Sequence, residues 1–241
     1  MREISEILKQ SIIEMLLEQK AHPTIEDRAE EIVDAAKALL DTFGTLHPLV
    51  RAREMLNNIG DDFKRSPDFK KLGQGAFRET FIHSSDASVV VKIARNDKGL
   101  LMNLDDAQLG RRSDLAIVFP KTFAYDKDGF WIVQERARTV KNVAELDGYF
   151  KDVVIGDRYD WDNVMIALDL AAFEKKARAV IRPEAREFAN ELVKDPLFRQ
   201  WVKAHHELKF DVSDLDIRNI GWVDEGRLVI IDSSLHDRIW N

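Results

Sequence analysis

The chain has 241 residues, 45% hydrophobic and 33% charged, which is enough for one two-lobed domain or two small ones with a proper buried core. A formal net charge of −7 argues against a general nucleic-acid binder, and the absence of cysteine excludes disulfides, thiolate metal sites and thiol nucleophiles. No apolar run approaches the roughly 18 residues that span a bilayer, so no membrane role is expected.

The first sixty or so residues read as helices. Ile4, Leu8, Ile12, Met15 and Leu16 share one helical face, with acids and bases mixed on the other, unlike a signal peptide. His22-Pro23 breaks that pattern. Thr24, with Asp27 three residues later, predicts a capped second helix with the stripe Ile25, Ile32, Val33, Ala36, Leu39, Leu40 and Phe43, stopped by Gly44. Pro48 opens a third helix, with Leu49, Met55, Leu56 and Ile59 inward and Gly60 as its expected end. These stripes must pack on one another, on a later lobe or on a partner.

At Pro67 the pattern turns to strands. Residues 69–72 and 79–83 flank a turn that carries Gly73 and Gly75, and residues 89–94 form an apolar strand with one lysine, Lys92, inside it. Such a lysine is costly unless its ammonium is paired or reaches a polar site. Two glycines let backbone N–H groups approach phosphate oxygens. Alone they would be an ordinary turn; with Lys92 they suggest a phosphate site. Residues 97–112 read as a helix, and 122–126 and 130–134 as a hairpin around Asp126-Lys127-Asp128-Gly129.

Helices are expected again at 143–150, 161–181 and 183–206, the last kinked at Pro196 and ending on His205-His206, where basic residues suit the dipole. The stretch LKFDVSDLDIRNIGWVDEGRLVIIDSSL follows, with Asp214, Asn219 and Asp232. Residues 219–223 and 228–231 read as two short strands turned by Asp224-Glu225-Gly226. A hairpin of that length brings Asn219 and Asp232 to one point. Two oxygen ligands there suit Mg²⁺, which keeps several waters and takes its other ligands from phosphates. Asp214 could accept a proton from an attacking hydroxyl, so the stretch reads as a phosphoryl-transfer constellation.

In this order the motifs resemble the protein-kinase-like superfamily, over roughly residues 68–232. LGQGAF resembles the glycine-rich loop, with Arg78 in place of a third glycine; VVVK resembles the strand of the phosphate-pairing lysine. DLDIRN resembles the catalytic loop and IDSS the second metal position. The resemblance implies an α+β, two-lobed protein-kinase-like fold. An N-terminal helical extension (1–62) would precede an antiparallel-sheet N-lobe running to the hinge (63–137) and a reduced helical C-lobe with the catalytic loop (138–241). It also implies ATP and Mg²⁺ as cofactors. Gly73, Gly75 and Phe77 would cover the phosphates, Lys92 orient them, Asp214 act as base, and Asn219 and Asp232 hold metal. An acidic partner for Lys92 is expected on the following helix. Asp105 and Asp106 are the candidates, and Asp106 is preferred because Asn103 to Asp106 resembles the N-x-x-E pattern of compact phage kinases. Gln134-Glu135-Arg136-Ala137 resembles the hinge, with Gln134 as gatekeeper and backbone groups of Glu135 and Ala137 on the adenine edge.

Departures from the family are also plain. Val212 and Ser213 replace the usual histidine and arginine before the catalytic aspartate, and no glycine follows Asp232. Asp216 stands where many kinases place a phosphate-contacting lysine or a histidine, and Arg218 could restore the missing positive charge. Nine residues follow Asp232, which leaves no room for an activation segment. The expectation is a cytoplasmic, ATP- and Mg²⁺-dependent serine/threonine protein kinase of the compact bacteriophage type, acting on host proteins. One alternative is a small-molecule kinase of the aminoglycoside-phosphotransferase kind, whose HGDLHPGN histidines are missing here. The other is a pseudokinase that uses the helical segment as an interaction surface.

Overall fold

The computed structural model describes residues 24–40, 48–150, 158–173, 183–210, 212, 215–223 and 226–231. Its first described helix, α1 (Ile25–Leu40), starts where the capping pair places it. The Asp27 N–H donates to Thr24 Oγ1 (3.2 Å) and the Thr24 N–H to Asp27 Oδ2 (2.9 Å), a reciprocal box. Helix α2 (Pro48–Arg65) opens at Pro48 but does not stop at Gly60 as expected. Gly60 lies where α2 crosses a strand, and a Cβ there would come within 2.6 Å of Glu79 Oε2. The glycine serves a close approach, not a cap. Met55, Ile59 and Phe63 continue one buried stripe across it, so helix and sheet share a core that spans position 62.

Five antiparallel strands follow, β1 (Phe69–Gln74), β2 (Arg78–His83), β3 (Val89–Ala94), β4 (Thr122–Tyr125) and β5 (Trp131–Glu135), in the order β1-β2-β3-β5-β4. Helices α1 and α2 bury one face with Phe69, Phe81, Val91, Ile93, Trp131 and Val133. Helix α3 (Asp97–Gly110) meets the opposite face. All six residues of β3 are buried, which is why VVVKIA reads as an unbroken apolar run instead of an alternation. Register sets the membership of the α3 face. Arg78 lies opposite Ala94, Thr80 opposite Lys92, Lys92 opposite Ile132, and Val90 opposite Gln134.

A second core lies beyond the hinge. It combines Leu115, Val118 and Phe119, from the connection after α3, with helices α4 (Arg158–Ala172), α5 (Pro183–Leu192) and α6 (Pro196–Leu208). A three-stranded antiparallel sheet, β6 (Arg138–Thr139), β7 (Ile220–Trp222) and β8 (Leu228–Ile230), completes it in the order β6-β7-β8. The molecule is therefore α+β, with a sheet-rich part and a mainly helical part.

Several helical expectations need correction here. Residues 143–150 form only a short 3-10 turn, Val143–Leu146, because Gly148 takes a left-handed φ of 71°. The expected helix 183–206 is two helices. Pro196 lacks the N–H that would continue the first, and Asp195 caps the second by accepting from Leu197 N–H (2.6 Å) and Phe198 N–H (3.0 Å). Helix α6 runs past His206 to Leu208, where Lys209 at φ 52° donates its N–H to the His205 carbonyl. His205 is buried between Phe173 and Phe210. Helix α3 stops at Gly110, short of Arg112, and α4 starts before Trp161; residues 174–182 lie outside the described residues. Among the described residues no helix is long and apolar enough to cross a membrane.

The Phe63 ring lies 4.7 Å from Phe69 and 5.3 Å from Phe81, so α2 is part of the fold of the sheet. Phe63→Ala is expected to cost about 3–5 kcal/mol in denaturant unfolding. An unchanged midpoint would mean that the helices are only appended.

Candidate active site

Lys92 is held at mid-strand in β3, and its Nζ lies 2.8 Å from Asp106 Oδ2. Two contacts set the phase of α3 that makes this possible. Asn96 caps the helix by accepting from Gly99 N–H (3.1 Å), and buried Asn103 donates through Nδ2 to the Gly129 carbonyl in the β4–β5 turn (2.8 Å). Asp106, one turn after Asn103, then faces β3. The other sequence candidate, Asp105, is buried and not solvated.

A second cation shares the same oxygen. Arg78 Nη1 lies 2.6 Å from Asp106 Oδ2. Sequence reading noted Arg78 only as a replaced glycine. The period of two in β2 could have found it, because Arg78 and Thr80 share a face and Thr80 pairs with Lys92. Burial pushes the Asp106 carboxyl upward, but Lys92 and Arg78 beside it outweigh that and hold it below its ordinary value. Arg78 and Lys92 thus both contact the same carboxylate oxygen.

The glycine-bearing turn is tied to the start of α3. Phe77 O accepts from Arg95 N–H (2.8 Å), Gly75 O from Arg95 Nη1 (3.0 Å) and Ala76 O from Asn96 Nδ2 (3.4 Å). The Phe77 ring packs under Lys98, whose Nζ is 4.8 Å from its centroid. The chain's own packing does not require either glycine. A Cβ at Gly73 would meet nothing within 4 Å, and one at Gly75 only Arg78 O at 3.8 Å. The Gly75 N–H donates to Arg78 O (2.9 Å) and closes the turn, while the space beside both glycines stays open to an approaching group.

At the hinge Glu135 is a fastener. Its N–H donates to Lys121 O (2.8 Å), and its carboxylate accepts from Lys121 N–H (3.1 Å) and Arg227 Nη2 (2.6 Å). Arg227 also donates through Nη1 to Ala116 O (2.5 Å) and Phe119 O (3.1 Å). No local pattern marks Arg227, because its partners lie about a hundred positions away. Ala137 crosses over β7, where a side chain at Gly221 would come within 3.1 Å of its Cβ.

Asn219 sits level with Ile231, whose N–H donates to the Asn219 carbonyl (2.7 Å), as the hairpin requires. Asp214 and Asp232 lie outside the described residues. Arg218 does not join Lys92: 82% of its side chain is exposed, and its Nε contacts Asp216 Oδ1 (3.1 Å). It borders a cavity of about 690 Å³ formed with Val143, Trp161, Met165, Ile166 and Leu215. The Trp161 indole N–H donates to Leu215 O (2.9 Å) and pins one wall. Among the described residues no group of three or more histidines, aspartates and glutamates is arranged to hold a metal.

No protein-family model and no curated protein matches the sequence. Solved structures to which the chain is similar include the streptomycin-ATP-APH(2")-IIa ternary complex, at 16% identity and a TM-score of 0.35, covering 76% of this chain and 71% of that one.

Asp106→Ala would leave two buried cations without their carboxylate, at an expected cost of about 3–5 kcal/mol in chemical denaturation. The folded carboxyl ionises below its unfolded value, so its contribution is present above about pH 4 and is lost as pH falls through the lower folded value. Melting temperature measured against pH should lose part of its acid limb in Asp106→Ala. An acid limb identical to wild type would contradict the pairing.

Proposed function

We propose that this chain is an ATP- and Mg²⁺-dependent phosphotransferase that moves a phosphoryl group to a hydroxyl acceptor. The observation that carries the reading is the Lys92–Asp106 pair at the centre of a β1-β2-β3-β5-β4 sheet, with a hairpin bearing Asn219 fastened beneath it through Arg227 and Glu135. The two cations at Asp106 fit a triphosphate, and the amide of Asn219, level with Ile231, fits a hard-cation ligand. When bound, ATP supplies the phosphoryl group and Mg²⁺ offsets its charge.

The chain's own residues mainly position and neutralise, because a transferring phosphoryl needs little covalent help. Asp106 holds the Lys92 ammonium in one rotamer, ready for the α/β-phosphates. Gly73 and Gly75 would leave room for the phosphates to approach the turn, with Phe77 steadying it from the α3 side. The carbonyl and N–H groups of Glu135 and Ala137 would border the adenine. Asp214 would take the acceptor proton, Arg218 add positive charge on the acceptor side, and Asn219 and Asp232 hold the metal.

The resemblance to compact phage kinases supports a protein serine or threonine as acceptor. The cavity beside Arg218 favours a second reading, a small-molecule acceptor, because its volume lies in the range of ligand pockets.

Lys92→Met and Asp232→Ala are each expected to lower transfer of labelled phosphate from ATP by on the order of 10²-fold or more. Lys92→Met should stay folded by circular dichroism, because Arg78 still neutralises Asp106. Normal transfer by either folded variant would overturn the assigned roles. Labelling in a host lysate, with Asp214→Asn as control, separates the acceptors: labelled protein bands support the first reading, and label confined to small molecules the second.

A further inference from the structure

Gln134 ends the run of β5 that faces α3, where the chain is about to leave the sheet. It is only 2% exposed, and its register opposite Val90 places it on the face that carries Lys92. Hydrogen-bond bookkeeping fixes which way its amide points. The Thr122 hydroxyl has one proton, and it is donated to the Asp106 carbonyl (3.2 Å). Toward Gln134 that hydroxyl can therefore only accept, and the contact of 3.2 Å is made by the Gln134 Nε2 donor. Flipping the amide would set two acceptors face to face.

The oxygen is thus the end left over. Gln134 Oε1 is buried and has no hydrogen-bond partner among the described residues. An unpaired buried amide oxygen is costly, and a side chain locked in that state beside a candidate site points to a donor that arrives with a ligand.

We propose that Gln134 is the residue that selects the nucleobase: its Oε1 accepts from the exocyclic amine of adenine. Purines with a carbonyl at that position are disfavoured, because they bring a second acceptor against the first. The inference rests on the nucleotide reading above and deepens it from a triphosphate site to a site specific for a 6-amino purine. The Thr122 hydroxyl that orients the amide also bonds to the backbone of Asp106, so base recognition and the partner of Lys92 share one short relay.

The test compares ATP with inosine triphosphate, whose base carries a carbonyl in place of the amine. Affinities are measured by calorimetry with Mg²⁺ on wild type, Gln134→Met and Thr122→Val, each checked for fold by circular dichroism. Wild type should prefer ATP by about tenfold or more. Gln134→Met, of similar length but without the acceptor, should bring the two affinities within about threefold. Thr122→Val frees the amide to turn and should also lower the ratio, which keeps the test open if Gln134→Met does not fold. Equal affinities in wild type, or an unchanged ratio in both folded variants, would overturn the role of Gln134 and leave the nucleotide reading standing. Binding of neither triphosphate by wild type would instead bring down the nucleotide reading itself, and this inference with it.

Discussion

One largely buried carboxylate organises the sheet-rich half of this molecule. Asp106 joins β2 through Arg78, β3 through Lys92 and α3 through its own backbone, and it does so with a single oxygen. An ion cluster of this kind is weak evidence of stability, since desolvation offsets much of the attraction. Its value is geometric. A lysine in an apolar strand is held in place by the polar partners that reach it, and Asp106 Oδ2 is one of them at 2.8 Å.

The surroundings follow from that constraint. With α3 pinned on one face of the sheet, the other face must be covered, and α1 and α2 do so with the stripe that runs through Ala29, Ile32, Ala36, Met55, Ile59 and Phe63. The same demand explains Gly60, which lets α2 approach Glu79, and the three cations, Lys64, Lys71 and Arg95, gathered around that buried glutamate. On the other side, Arg227 ties the hairpin of Asn219 to the hinge and to the connection that leaves α3. Motion of α3 would therefore be felt at both ends of the site.

Much of this was readable in the residues because it is local. The Thr24–Asp27 box, the strand pattern of β1 to β5 and the turn before Gly226 each depend on neighbours within a few positions. Lys92 announces itself as a charge in an apolar run, and Asp106 is singled out by the resemblance of Asn103 to Asp106 to the N-x-x-E pattern. The misread elements have specific causes. Gly60 reads as a stop because its reason lies in Glu79, on another element, and 143–150 reads as a helix because composition does not reveal the left-handed turn at Gly148.

By itself, then, the order of residues settled most of the element types, the strand that bears the lysine, and the set of polar side chains from which a site could be built. Only the packed structure decided that Arg78 shares the carboxylate of Lys92, that Arg227 reaches Glu135, that Arg218 points to solvent, and that one oxygen of Gln134 has no partner among the described residues. The physical reason is range: propensity and periodicity act over one or two turns of chain, whereas a buried charge or amide is satisfied by whatever the tertiary fold brings within about 3 Å.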